Sequence, residues 1–430
     1  MSTKFQNQLS ELVSAEVISA DTAQNIRSYY DAKQSQTSNK LFIAFGVLGA
    51  LLVGLGIILI LAHNWDSFSR FTKTIWAFVP LALGQLFAGI TYFKKLGTAW
   101  RETAATFLFF AVGASISLVS QIYNIPGEMS TFLLTWIALT APLIYILRSH
   151  AVAILHLIYA TAYACNVGYF ESFGTHPDVI PWLYLLMLAF VLPFYFGFRR
   201  LKTDKIMQSI YNWLLPLSGL ITLGTFIVGH SDIRILIYVG LFGLFYNIGS
   251  HSSFTSGRLL NNGYKFLGSL GMVITLVMAT FSEFWSYSYT AYNATTDWLL
   301  AILIMSSALC MFIYNMNQQQ SKSINLFQVA FALFGLLYFM GGFVPYGILG
   351  GTNLLVLSLG IYCIYEGNRI NSFSTLNYGF LIIAVLVACR FFDTDMSFVI
   401  RGVLFLSVGV GFFLTNYFMY RKQQKLKDYV

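Results

Sequence analysis

Charge is scarce in this sequence: Asp, Glu, Lys and Arg make up 10% of 430 residues, against about a quarter in an ordinary soluble domain. That scarcity excludes a water-soluble enzyme and a disordered chain. Cysteine is rare as well. Its 4 copies, Cys165, Cys310, Cys363 and Cys389, each sit inside an apolar run and none has CxxC or Cys/His spacing, so neither a disulfide nor a metal site is expected. HExxH, GxSxG and phosphate-loop patterns are missing, which leaves catalysis little support and calls for no cofactor. No signal peptide is expected, because the first 40 residues are polar and the apolar run from Leu41 is longer than a signal h-region.

What is present is oil-like. Hydrophobic residues account for 57% and aromatic residues for 17%, and the mean hydropathy is +0.68. The chain reads as a membrane protein. Its 25 Lys and Arg exceed its 17 Asp and Glu, giving a formal charge of +8. In a bilayer such an excess reflects orientation, since basic residues collect in cytoplasmic loops. Membrane lipids, and no nucleic acid, are the expected partners.

A helix needs about 20 mostly apolar residues to cross the hydrocarbon. Fourteen stretches qualify, near 41–62, 74–93, 104–122, 130–147, 151–170, 179–198, 210–229, 233–249, 263–281, 297–315, 324–340, 346–365, 374–391 and 397–420. With the N-terminus inside, only Arg70, Lys73, Arg234, Arg390 and Arg401 fall outside, and the other 20 of the 25 basic residues fall inside. The expected fold is therefore an all-α polytopic transmembrane helix bundle of about 14 spans with both termini cytoplasmic. Residues 1–40 form a cytoplasmic helical hairpin, 41–420 the bundle and 421–430 a basic tail. In the hairpin Phe5, Leu9, Leu12 and Val13 recur at helical spacing, and Ser19 is an N-cap candidate for a helix carrying Ala23, Ile26 and Tyr30. It could dock a cytoplasmic protein partner; the plainer reading, a hairpin resting on the membrane or on its own helices, is preferred.

The first span ends in Ala62-His63-Asn64-Trp65-Asp66 and the third in Gln121-Ile122-Tyr123-Asn124, followed by Gly127, Trp136, Pro142 and Tyr145. With the preceding hairpin, about residues 5–150 resemble the bacterial membrane proteins of domain-of-unknown-function family 2157. The ending Arg390-Phe391-Phe392-Asp393 with Arg401-Gly402 is also similar to that of such proteins. The resemblance implies a multi-pass protein of the bacterial cytoplasmic membrane and brings no activity with it.

Function must then be sought in polar groups at membrane depth, where an ionised side chain costs about 2.5 to 3.5 kcal/mol on insertion scales. Arg390, Asp393, Asp395 and Arg401 fall within twelve residues and would form an ion-pair network at the outer boundary, either a binding or gating site or a staple closing a hairpin. His63, Asn64 and Asp66 form a second candidate group beside the interfacial anchor Trp65. Gln121 and Tyr123, with Asn124 and Glu128 nearby, form a third, in which a buried Gln would need another helix or a ligand to satisfy it. His156 and Asn166, and Asp232 with Arg234, raise the same question more weakly. Nine acids on the outer side, among them Asp297, would make that face net negative.

The glycines and proline of 341–353 suggest either a broken helix of the kind that lines transport sites or an external Gly-rich turn. Gly46, Ala50 and Gly54 would let the first span pack closely. Leu260-Asn261-Asn262-Gly263 and Leu376-Asn377-Tyr378-Gly379 hint at repeated hairpins, each opening a helix. The leading expectation is a transporter or lipid-flippase-like protein, because the bundle interior is the main place left for function. The alternative is a non-transporting scaffold or sensor that uses its N-terminal hairpin to bind a partner. A membrane transferase ranks third.

Overall fold

The computed structural model describes residues 3–15, 17–26, 28, 45, 48, 49, 52, 59, 67–170, 180–201, 205–228, 233–251, 254, 262–286, 295–318, 325–341, 345–393 and 398–427. Among them the protein is all helical. Nine helices are long and apolar enough to cross a membrane, and the apolar stretches Gly263–Met278, Leu326–Met340 and Phe405–Tyr417 are shorter. The stretches expected from 74 onward each overlap a helix, whereas most of 41–62, with Gly46, Ala50 and Gly54, lies outside the described residues. The chain divides into two compact units, Met1–Tyr163 with Leu183–Phe198, and Ala164–Trp182 with Arg199–Val430.

The first unit begins with α1 (Thr3–Ser14) and a second helical stretch at 20–26. Ser19 caps that stretch by accepting from Thr22 N at 3.2 Å, and Leu9 and Ala23 are buried. Next come α2 (Arg70–Phe93), α3 (Thr98–Tyr123), α4 (Met129–Ile146) and α5 (His150–Cys165). Ser69 caps α2 through Thr72 N, 3.2 Å away. At its other boundary α3 ends on Asn124, whose φ of 51° is tolerated by this short polar side chain. Helices α2 and α3 pack closely at Gly84, where an added Cβ would lie 3.2 Å from Leu108 Cα. Ser115 Oγ also donates to Ala77 O across the pair at 2.7 Å.

Three of the residues that carry the family resemblance are packing and shaping elements. Trp136 Nε1 donates to Phe109 O at 2.7 Å, and its indole covers Gly113, where any side chain would collide with it. Pro142 restarts α4 at a helix N-terminus, where its missing N–H costs nothing. Tyr145 Oη donates to Phe190 O at 2.6 Å, on α6 (Trp182–Leu201).

In the second unit a π-helical turn, Asn166–Phe170, is followed by α7 (Lys205–Leu223), α8 (Ile233–Ser250), α9 (Gly263–Met278) and α10 (Ser282–Ser286). Then come α11 (Thr295–Gln318), α12 (Leu326–Gly341), α13 (Pro345–Arg369), α14 (Phe373–Asp393) and α15 (Phe398–Lys427). The central helix is α8, with 72% of its apolar window buried against at most 44% in any other span. A helix apolar on every side is what such a position requires.

Two sequence readings are narrowed here. Residues 342–344 lie outside the described residues, and the broken-helix form is not seen from Pro345 onward. Helix α13 runs unbroken from Pro345 to Arg369. Its glycines allow close packing, since a Cβ on Gly351 would strike Leu337 of α12, while Thr352 and Asn353 satisfy their side-chain donors within the helix on Ile348 O and Leu349 O. The suggested repeat is not structural either. Asn262 caps α9 through Lys265 N at 3.1 Å, whereas α14 is capped by Ser372 and Asn377 lies inside it. Gly379 serves helix contact: an added Cβ would lie 2.6 Å from Gly360 O of α13.

Candidate functional site

Among the described residues the largest concentration of buried side-chain amides lies in the second unit, where the C-terminal ends of α8 and α11 meet the N-terminal ends of α9 and α12. Asn247 of α8 is fully buried. Its Nδ2 donates to Gly243 O at 2.9 Å and to Gln328 O of α12 at 3.0 Å. Asn315 of α11, 2% exposed, donates from Nδ2 to Asn247 O at 2.7 Å. Gln328 Oε1 accepts from Asn325 N at 3.2 Å and so finishes the start of α12. Asn262 Nδ2 donates to Gly249 O at 2.7 Å and ties α9 to α8.

These amides hold four helix ends together, as interhelical hydrogen bonds do in lipid. Their donors are satisfied and two of their acceptors are not: Oδ1 of Asn247 and Oδ1 of Asn315 are buried with no hydrogen-bond partner. Exchanging O and N within either amide would aim a carbonyl oxygen at another carbonyl, so the orphaned acceptors follow from the packing. Two unsatisfied acceptors in so small a region stand out against the general pairing of buried polar groups. Around the node lie Lys265, whose Nζ sits 5.6 Å from the Tyr246 ring centre, and a stack of Tyr246 on Phe327 at 5.3 Å. Such an arrangement can accept hydrogen bonds from a donor or a small hydrated solute and offers no nucleophile–base pair.

The residues singled out in the sequence do not converge on this node. His63, Asn64, Asp66, Asp232 and Asp395 lie outside the described residues, as do the side chains of Asp393 and Arg401. Arg390 is half-buried at the end of α14; its Nη2 donates to Thr280 Oγ1 at 3.0 Å, and its Cζ is 5.0 Å from the Phe281 ring centre. Gln121, expected to be buried, is exposed, because α3 ends within a turn of it at the left-handed Asn124. Tyr123 is exposed too, and its hydroxyl shares a 3.1 Å hydrogen bond with Thr74. His156 is buried, with Nε2 3.2 Å from Met187 O.

Two buried acids escaped sequence reasoning. Asp297, counted with the outer surface acids, is fully buried and accepts from Val228 N at 3.0 Å. Glu102 of α3, 8% exposed, accepts from Ser149 Oγ at 2.5 Å and from the first N–H groups of α5, His150 at 2.9 Å and Ala151 at 3.0 Å. A carboxylate there matches both the open donors and the dipole of α5. The available signal was a polar residue at or beside the end of an apolar stretch, as for Asn247 and Asn315, but span ends are where polar residues are ordinary.

No curated protein and no solved structure matches the chain. The family match stops at 153, so the C-terminal resemblance at Arg390 and Arg401 lies beyond it. Within that limit, residues 10–153, from the N-terminal hairpin through the first turn of α5, match the family model described as predicted membrane protein (DUF2157).

Proposed function

We propose that the protein is a transporter or lipid-flippase-like protein of the bacterial cytoplasmic membrane, with both termini cytoplasmic and no catalytic chemistry of its own. The observation that carries this reading is the pair of orphaned oxygens of Asn247 and Asn315, brought together at one end of the helices of the second unit. Helix association alone needs only the satisfied Nδ2 donors; unpaired buried acceptors cost stability and are explained by a donor that visits them. The 20 to 5 division of basic residues supports the orientation, in which the amide node would lie at the cytoplasmic ends of α8 and α11.

Reconstitution into liposomes carrying headgroup-labelled phosphatidylglycerol tests the flippase form. Wild-type protein should accelerate transbilayer movement, while Asn247→Leu and Asn315→Leu should remove the acceleration; each also removes a buried interhelical hydrogen bond and should lower the melting temperature modestly. If neither this lipid nor a panel of small solutes moves faster than in protein-free vesicles, the reading fails.

The second reading is a scaffold or sensor whose residues 1–40 bind a cytoplasmic protein. Leu12 and Val17, 41% and 65% exposed beside buried Leu9 and Ala23, favour it. Deleting residues 1–36 separates the two: a transporter keeps its flux, and a scaffold loses its captured partner.

A further inference from the structure

We propose that the basic end of the α2–α3 hairpin binds an anionic phospholipid, with an acyl chain in the groove between the two helices and the phosphate at Lys94, Lys95 and Arg101. This requires only that α2 and α3 span the bilayer and is independent of any transport activity. The groove has a volume of about 450 Å³ and is lined by Leu83, Leu86, Phe87 and Ile90 of α2, by Thr103 and Phe107 of α3, and by Gly49 of the first apolar stretch. Leu83, Leu86 and Ile90 are 53%, 62% and 41% exposed, so in a spanning helix they face hydrocarbon and an acyl chain is the chemistry that fits.

The charge at one end of the groove chooses among lipids. Ile90 closes the α2 wall, and its carbonyl accepts from Lys94 N at 3.0 Å; Thr103 closes the α3 wall two residues beyond Arg101. Lys94 and Lys95 are exposed. Arg101 is half-buried, its Nη2 reaches only Thr98 Oγ1 at 3.3 Å, and its Nε is buried without an acceptor. The neighbouring acid, Glu102, is engaged by Ser149, His150 and Ala151, and among the described residues the one ion pair is Arg369 with Glu366. Two exposed lysines and a half-buried arginine, none in an ion pair among the described residues, therefore lie at this end, and the Nε of the arginine lacks an acceptor. Gly97, which precedes α3, supplies no side-chain cap to the first N–H groups. Trp100, packed edge-on against Phe87 at 5.9 Å, occupies the interfacial depth where headgroups lie. Basic pockets between spanning helices hold anionic headgroups by these same means.

Native mass spectrometry of the detergent-purified full chain, titrated with dioleoyl phosphatidylglycerol or dioleoyl phosphatidylcholine, tests the site. The first phosphatidylglycerol should bind at least about fivefold more tightly than phosphatidylcholine, the equivalent of about 1 kcal/mol from a single basic residue. The Lys94→Gln/Lys95→Gln/Arg101→Gln variant should bind the two lipids equally. Should that variant not fold, Lys94→Gln/Lys95→Gln, changed only at exposed positions, must still lose part of the preference. An unchanged preference in either variant, or none in the wild type, overturns the proposal. Inorganic phosphate at millimolar concentration should not displace the lipid; displacement would show a bare phosphate site and overturn the role of the groove.

Discussion

Replacing Glu102 tests how the first unit is held together. Its carboxylate accepts three hydrogen bonds, from Ser149 Oγ and from the N–H groups of His150 and Ala151, and is 8% exposed. Hydrogen bonds to a charged group contribute about 1.5 to 3 kcal/mol each, and a charge at a partly buried helix terminus adds up to about 2 kcal/mol. Because the three bonds share one side chain they are not additive, and Ser149 continues to cap α5 through Val152 N at 3.2 Å. The loss for Glu102→Ala should therefore be about 3 to 5 kcal/mol, the range for stranding buried partners. Glu102→Gln keeps one acceptor but turns an NH2 toward donors, and should lose about 2 kcal/mol. Glu128 is the internal control: its carboxyl also belongs to a residue at a helix N-terminus, that of α4, but it is exposed and makes no capping hydrogen bond, so Glu128→Ala should change stability by less than about 0.5 kcal/mol. Thermal and denaturant unfolding of the purified chain, followed by near-ultraviolet circular dichroism, measures all three. Equal shifts for Glu102→Ala and Glu128→Ala would refute the argument that the helix donors of α5 depend on this carboxylate.

Arg390→Ala should destabilise by about 1.5 to 3 kcal/mol through loss of the Thr280 hydrogen bond and the Phe281 contact. Exposed Arg70→Ala should fall within about 0.5 kcal/mol, and the difference in melting temperature checks the pair. Gly113→Ala drives a methyl group into the Trp136 indole and should cost about 1 to 3 kcal/mol. Gly89→Ala, in an equally helical position with nothing within 4 Å of the added Cβ, should stabilise by about 0.5 to 1 kcal/mol; opposite signs in unfolding midpoints are the check. His251, outside the spans and stacked on Tyr314, is held below its ordinary value by burial and by the Arg199 charge. The unfolded chain therefore takes up the proton first, and stability declines as pH falls through about 6.5 toward the lowered folded value. His251→Gln should flatten that part of the melting profile, and an unchanged slope would remove His251 from it.

Length and apolarity made the helices legible. Where about 20 apolar residues follow one another, a helix is the economical way to satisfy the backbone in lipid, and stretches such as 74–93 and 104–122 lie within α2 and α3. Neighbouring structure was less legible, because glycine has two uses that look alike in a sequence. Gly350 and Gly351 read as a break, yet α13 continues through them and Gly351 packs against Leu337. Only the facing helix distinguishes a glycine that lets a neighbour approach from one that frees a carbonyl.

The candidate site was less legible still, for a reason that lies in the solvent. In a water-soluble helix the polar side marks the surface, so a buried polar residue stands out by its phase. In a bilayer both the lipid-facing and the core-facing sides are apolar, and the contrast that reports rotation is lost. Gln121 and Asn315 both lie at the end of an apolar stretch and carry an amide. One is exposed and the other 2% exposed with an orphaned oxygen. The difference comes from Asn247 on the facing helix, whose carbonyl accepts from Asn315, 68 residues away in sequence. The same loss of contrast hid Glu102, whose partners lie 47 to 49 residues on. Polar chemistry inside such a bundle is thus specified by pairs across helices, and a single helix read alone carries only half of each pair.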